Sequence, residues 1–269
     1  MEWQGRRESG NVVDQRSFGK GSIGIGTLVL GAIAYYFMGG NPIDYLAQNA
    51  PSAIQGTQSS STHSASELDQ QRKSFVSVVL ADTEDVWSEQ FRAISRTYTA
   101  PKLVLFTGRI QSGCGNASSS TGPFYCPSDR QVYLDTSFFD ELSNSLGAKG
   151  ASANAYVIAH EIGHHVQNLL GLTDVAERQG LSHNQSSVVI ELQADCFAGV
   201  WAAHETKYFE RGDVDNILNA ASAIGDDRLQ KRSGHDVMPD SFTHGSSAQR
   251  TAAFRRGLDG GNLQACLNR

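Results

Sequence analysis

The sequence contains no CxxC pair, no cluster of basic residues and no internal period of 20–50 residues. The first absence argues against a zinc site built from cysteines. The second removes the electrostatic footprint of a nucleic-acid-binding protein: 22 Lys and Arg are interspersed among 28 Asp and Glu, with a net charge of −6. The third removes solenoids. Charge is also missing from one stretch, since no charged side chain occurs from Gly21 to Ile43. What is present is a chain of 269 residues, 39% hydrophobic and 19% charged, which is enough apolar material for one or two cored domains.

The uncharged stretch includes a largely apolar run from Ile23 to Met38. Its length approaches the roughly 20 helical residues that span a bilayer. Gly24, Gly26 and Gly31 suit a membrane helix, and Tyr35 and Tyr36 suit its interface. Arg6, Arg7, Arg16 and Lys20 precede the run, and the next Lys or Arg is Arg72. That asymmetry predicts a single-pass membrane protein with a cytoplasmic N-terminus. Residues 1–20 are then the cytoplasmic segment, 21–43 the transmembrane helix, 44–70 a flexible linker and 71–269 an extracytoplasmic domain. In a Gram-negative cell that domain faces the periplasm. No A-x-A site follows the run, which argues against a cleaved signal peptide.

Cys114, Cys126, Cys196 and Cys266 fit an oxidising compartment. Three pairings are open; the expected one is Cys114–Cys126 with Cys196–Cys266.

Apolar spacing predicts helices over 67–80 and 84–97. Short apolar runs at 102–106 and 131–134 read as strands, joined like a hairpin across the cysteine-bracketed loop. The second strand, with Tyr133, is a candidate edge for an extended peptide, although core packing suits Tyr133 itself. Four more helices are expected: 152–170, then one from Ser186 or Ser187 to 206, then one from Asp213 to about 224, then one from Ser246 or Ser247 to about 258. Strands early and helices late indicate an α+β domain. Gly225-Asp226-Asp227-Arg228 reads as a salt-bridged turn, because two adjacent acids fall short of the 6–8 oxygens that calcium takes.

The most informative residues are His160-Glu161-Ile162-Gly163-His164. On a helix, residues four apart share a face, so two imidazoles converge on one ion while the glutamate reaches toward a water. One zinc ion is the expected cofactor. The flanks Tyr156, Val157, Ile158, Ala159, Ile162 and Val166 make this a buried helix, where ionisable groups need partners. Gly163 weakens the helix by about 1 kcal/mol relative to Ala, a cost explained by another segment passing close to it.

A metzincin would need Gly at 167 and His at 170; the chain has Gln167 and Leu170. The third ligand is instead expected from a later helix. There Glu191 and Asp195 lie one turn apart on a face of small apolar residues. Two buried carboxylates at that spacing are accounted for if Glu191 binds the metal and Asp195 accepts a hydrogen bond from a ligand histidine. Ala194, Ala198 and Gly199 let the two helices approach. His183, His204 and His235 are rival ligands without that context, and His165 points away from the metal face.

HEIGHHVQ followed by ELQADCFAG resembles the gluzincins. With GCGNASSSTGPFYCPSDRQVYLD, NAASAIGDDRLQ and SFTHGSSAQR, the chain more narrowly resembles the putative neutral zinc metallopeptidase family of bacterial membrane-anchored proteins. The resemblance implies a zincin-like fold with an active-site helix, a small mixed sheet and a second helical lobe. It also implies hydrolysis of protein or peptide substrates. In that reaction Glu161 is the general base toward a zinc-activated water, and His244 either stabilises the oxyanion or is a capping or surface histidine. Arg250 is expected first as an ordinary helix-surface arginine, and otherwise to clamp substrate or to pair with Asp195 or Asp240. The competing expectations are a non-catalytic zinc-containing binding or chaperone module, and a hydrolase of a non-peptide, cell-wall amide. Oligomeric state is not legible.

Overall fold

The computed structural model describes residues 1–16 and 59–267. The apolar run 21–43 lies outside the described residues, as does the first part of the expected linker. Among the described residues, no helix is long and apolar enough to cross a membrane.

Helix α1 runs unbroken over Ser59–Ala93. The sequence reading expects a flexible linker over 44–70 and a break between 80 and 84; from Ser59 onward both are corrected here. No Gly or Pro interrupts the 35 residues, and the buried Thr83 turns its hydroxyl back onto the Leu80 carbonyl, 2.7 Å away. The weak helix formers Asp82 and Thr83 are thus held by side-chain partners rather than starting a loop.

The sheet has the order β1-β2-β6-β5, with β1 Val12–Asp14, β2 Lys102–Phe106, β5 Phe124–Cys126 and β6 Gln131–Asp135. β3 Arg109–Ser112 and β4 Gly115–Ser118 form a separate hairpin. The two strands expected to pair like a hairpin do pair, but in parallel, with Leu103 opposite Val132. The reason lies in the segment between them. It carries the β3–β4 hairpin and then β5, which runs antiparallel to β6, so the chain has already reversed before β6 begins. β6 is therefore an interior strand and β5 an edge. Tyr133 is buried, stacks on Phe124 at 4.9 Å and donates its hydroxyl to Asp129. It is a core residue, and the sheet edge next to it is β5. Period-2 alternation places Leu103, Leu105, Val132 and Leu134 in the main core, and Val104, Phe106, Cys126 and Tyr133 in a smaller cluster on the other face.

Helices α2 Ala151–Leu170 and α3 His183–Glu205 cross beside this sheet. α2 ends at Gly171, whose φ of 70° closes the helix with a left-handed cap. α3 starts earlier than its apolar pattern suggests, because Ser182 and Gln185 form a reciprocal capping box. α4 Asp213–Ala223, α5 Asp226–Arg232 and α6 Ser247–Gly260 complete the helical half; α5 has no counterpart in the sequence reading. The molecule is thus α+β, as expected. Both expected disulfides are present. Cys114–Cys126 ties the β3–β4 turn to β5, and Cys196–Cys266 ties α3 to the C-terminal turn.

Residues 1–16, expected as a segment apart, belong to this body. β1 pairs in parallel with β2. Arg6 lies between Asp82 and Glu205, at 2.6 and 2.8 Å. One guanidinium between two buried carboxylates leaves an excess negative charge. Burial and the Glu205 carboxylate accordingly push Asp82 up to about 7, despite Arg6. A carboxyl group with a raised folded-state pKa stabilises the fold at pH values below its ordinary pKa near 3.8, and that contribution is lost as pH rises through about 7. Asp82→Asn, which is neutral at every pH, should therefore raise the melting temperature at pH 8. The expected gain is about 2–4 °C for each kcal/mol released, and it should vanish near pH 4. Thermal melts at both pH values check this, and equal gains at both would refute it.

Candidate metal centre

The centre is assembled where α2 crosses α3. His160 and His164 are one turn apart on α2, and Glu191 faces them from α3. His160 Nε2 lies 3.1 Å from Glu191 Oε2, and His164 Nε2 lies 3.4 Å from Glu191 Oε1. One ligand atom from each of the three residues lies within 4.8 Å of the others, the spacing of a group that could hold a metal ion. Among the described residues no further group of this kind occurs, so His183, His204 and His235 are not ligand candidates. The crossing is close because Gly163 has no side chain. A Cβ there would lie 2.9 Å from the Ala194 carbonyl oxygen, so the expected reason for this glycine holds. Gly199 serves a different contact from the one expected. Its missing Cβ would lie 2.1 Å from the Phe254 carbonyl on α6.

Both ligand histidines are oriented through their far nitrogens. His160 Nδ1 donates to Asp195 Oδ1 at 2.8 Å, as the Glu191–Asp195 spacing predicts. His164 Nδ1 donates to Gln167 Oε1 at 2.9 Å. Gln167 is fully buried, and its amide nitrogen donates to the Ile190 carbonyl and to Gln193. Gln167 was missed in the sequence, although its place three residues after His164 on the same helix face was the available signal. With each Nδ1 engaged, each Nε2 is presented to the same point, which is the arrangement that fixes a ligand histidine.

Asp195 is itself held. Arg250, 2% exposed on α6, donates from Nε to Oδ2 at 2.9 Å and from Nη2 to Oδ1 at 3.0 Å. Tyr156 donates its hydroxyl to Oδ1 at 2.5 Å. The surface position expected for Arg250 is corrected by its burial, and of its other roles pairing with Asp195 is the one observed. Burial alone would raise the Asp195 pKa, but Arg250 and His160 outweigh it and keep the carboxylate ionised.

The electrostatics describe a place for a cation. Burial disfavours a charged His160, yet the Asp195 and Glu191 carboxylates raise it to about 10. His164 is raised in the same way by Glu191, and Glu191 is held well below the ordinary carboxylate range against burial. Two imidazoles that retain protons next to an ionised carboxylate are a site where a divalent ion can replace those protons. The donor set of two imidazoles and one carboxylate suits zinc.

The family model described as "Putative neutral zinc metallopeptidase" matches residues 1–268. The chain belongs to that family. Among the relatives of this chain is the uncharacterised protein YpfJ of Escherichia coli K12, 44% identical over 288 aligned positions that cover 99% of this chain and 98% of YpfJ. Another is Rv2575 of Mycobacterium tuberculosis H37Rv, also 44% identical, over 63% of this chain and 62% of that protein. No solved structure matches it.

The three-residue group opens onto a cleft of about 550 Å³. Glu161 and His244 both line it, together with Phe124, Val157, Ile190 and Leu229. Glu161 is 8% exposed and lies outside the ligand group. His244 is half exposed. It is placed by Asp226, whose Oδ2 accepts the backbone N–H groups of Thr243, His244 and Gly245 and whose Oδ1 lies 3.2 Å from His244 Nδ1. Asp227 accepts the N–H and hydroxyl of Ser247. The expected salt-bridged turn is therefore corrected. Both acids at the start of α5 accept from the 243–247 loop instead of pairing with an arginine. His165 is clear of the metal face, as expected. It donates to the Thr99 carbonyl and accepts from Tyr125, consistent with burial lowering it to about 4.

Proposed function

We propose that this protein is a gluzincin-type endopeptidase with a zincin-like fold, acting on protein or peptide substrates outside the cytoplasm. The observation that carries the reading is a three-residue ligand group, His160, His164 and Glu191, that opens onto a cleft with Glu161 on its wall. Structural zinc normally has four protein ligands and no open position, so a non-catalytic module fits this arrangement less well. The two disulfides support an oxidising compartment.

When bound, zinc supplies a Lewis acid that acidifies water and polarises a carbonyl. The remaining work falls to side chains. Glu161 takes the proton from the attacking water and returns it to the leaving amine. His244, held by Asp226, donates toward the oxygen on which charge develops. Asp195 and Gln167 keep the two imidazoles in one tautomer and orientation. The apolar residues lining the cleft seat side chains of an extended substrate.

The test incubates the zinc-loaded protein with a peptide library and, separately, with cell-wall fragments. Cleavage of peptides is the expected result. Release from cell-wall fragments with every peptide intact would overturn it in favour of a non-peptide amide. His160→Ala should lower zinc affinity by more than about a hundredfold, beyond what loss of an outer partner costs. Chelator competition measures this, and unchanged affinity would remove His160 from the ligand set.

A further inference from the structure

Residues 1–16 lie along an acidic surface made by α1, the end of α3 and the turn after it. Arg6 reaches Asp82 and Glu205. Arg7 reaches Glu84 at 3.3 Å, Asp85 at 2.8 Å and the Ala81 carbonyl. Ser9 and Asn11 both donate to Glu84 Oε1. Arg16 donates to the Asp69 carbonyl while paired with Asp14. The backbone joins as well. Glu2 N–H donates to the Tyr208 carbonyl, and β1 extends the sheet beside β2. This is a specific interface whose occupant is the chain's own N-terminal segment.

The charges on that segment have a second meaning. Arg6, Arg7 and Arg16 are three of the four cations that precede the apolar run, and they are the basis for expecting a cytoplasmic N-terminus. All three are used in ion pairs with acidic residues, for Arg6 and Arg7 on α1 and α3. They are therefore explained without a membrane, and the argument from charge asymmetry loses most of its support. A single crossing by residues 21–43 would put residues 1–16 and β2 on opposite sides of the bilayer. It would do so in every copy inserted the same way, so exchange of segments between copies does not restore the pairing.

We propose that the N-terminal segment and the peptidase domain occupy the same side of the membrane. Arginines Arg6, Arg7 and Arg16 then serve as a docking motif for the acidic surface rather than as a signal for orientation.

The experiment uses the full chain in intact cells or sealed vesicles and a membrane-impermeant maleimide. Gln4→Cys and Lys102→Cys are the labelling sites, because both residues are exposed and neither side chain makes a hydrogen bond or ion pair. The two single variants are expected to react on the same side, both before the membrane is opened or both only after. Reaction of Lys102→Cys in sealed cells, with Gln4→Cys reacting only after permeabilisation, would overturn the proposal. A second measurement uses Arg7→Cys with Asp85→Cys and a short bis-maleimide. The expected product is a cross-link within one chain, read by mass spectrometry. If both cysteines are modified and no cross-link forms within a chain, the proposal also fails.

Discussion

Glu161→Gln is expected to keep its full zinc content and to lose peptide hydrolysis by about 10²–10⁴-fold, the range of a general base. Glu161 follows His160 directly, yet it stands outside the ligand group and on the wall of the cleft. In the proposed mechanism its carboxylate takes the proton of the attacking water, while the two imidazoles and Glu191 would hold the ion. Glutamine preserves size and polarity but cannot accept the proton. A drop in turnover with zinc retained, by elemental analysis of the same sample, separates proton transfer from metal binding. Equal hydrolysis by the variant would remove Glu161 from the mechanism and favour a module that keeps zinc without using it.

Asp195→Ala should have the largest combined effect on fold and site. Asp195 is fully buried, and Arg250 is 2% exposed. Removing the carboxylate leaves a guanidinium in the interior without its partner, a loss on the order of 3–5 kcal/mol. His160 loses the acceptor that fixes its ring, so zinc affinity should fall by about 10–100-fold. The double variant Asp195→Ala with Arg250→Met distinguishes the two losses. Removing both charges should recover most of the melting temperature and little of the zinc affinity. Recovery of both together would mean that Asp195 acts only through stability, and no recovery of either would mean that the Asp195–Arg250 pair is not the source of the loss.

How much was legible in the sequence followed from how local the information was. The His160–His164 spacing lies within one helical turn, and Glu191 with Asp195 within another, so helical geometry alone could place them. The disulfide pairs needed only the compartment and proximity. The sheet was harder. Whether 102–106 and 131–134 run parallel depends on how the intervening chain spends its residues, and β5 is too short to stand out by periodicity. Gln167 was read only as a departure from a different motif, because an amide carries no charge to demand a partner. Arg250 had an open role because its partner lies 55 positions away. The ion pairs of the N-terminal arginines were not legible for a more general reason. A charge pattern beside an apolar run reports what the charges are, whereas their use depends on acids at 82, 84, 85 and 205, which no local window contains.

The contact between α3 and α6 leaves no room for adjustment. A Cβ on Gly257 would sit 1.9 Å from the Cys196 carbonyl, just as one on Gly199 would strike Phe254. Backbone touches backbone there, one residue from Asp195 and two turns from Arg250, and a disulfide fastens the same stretch of α3. Side chains can yield to a small displacement by changing rotamer, but two main chains in contact cannot. The half of the centre that supplies Glu191, Asp195 and Arg250 is therefore set main chain against main chain, and no change of rotamer at that seam can absorb a shift of α6 against α3.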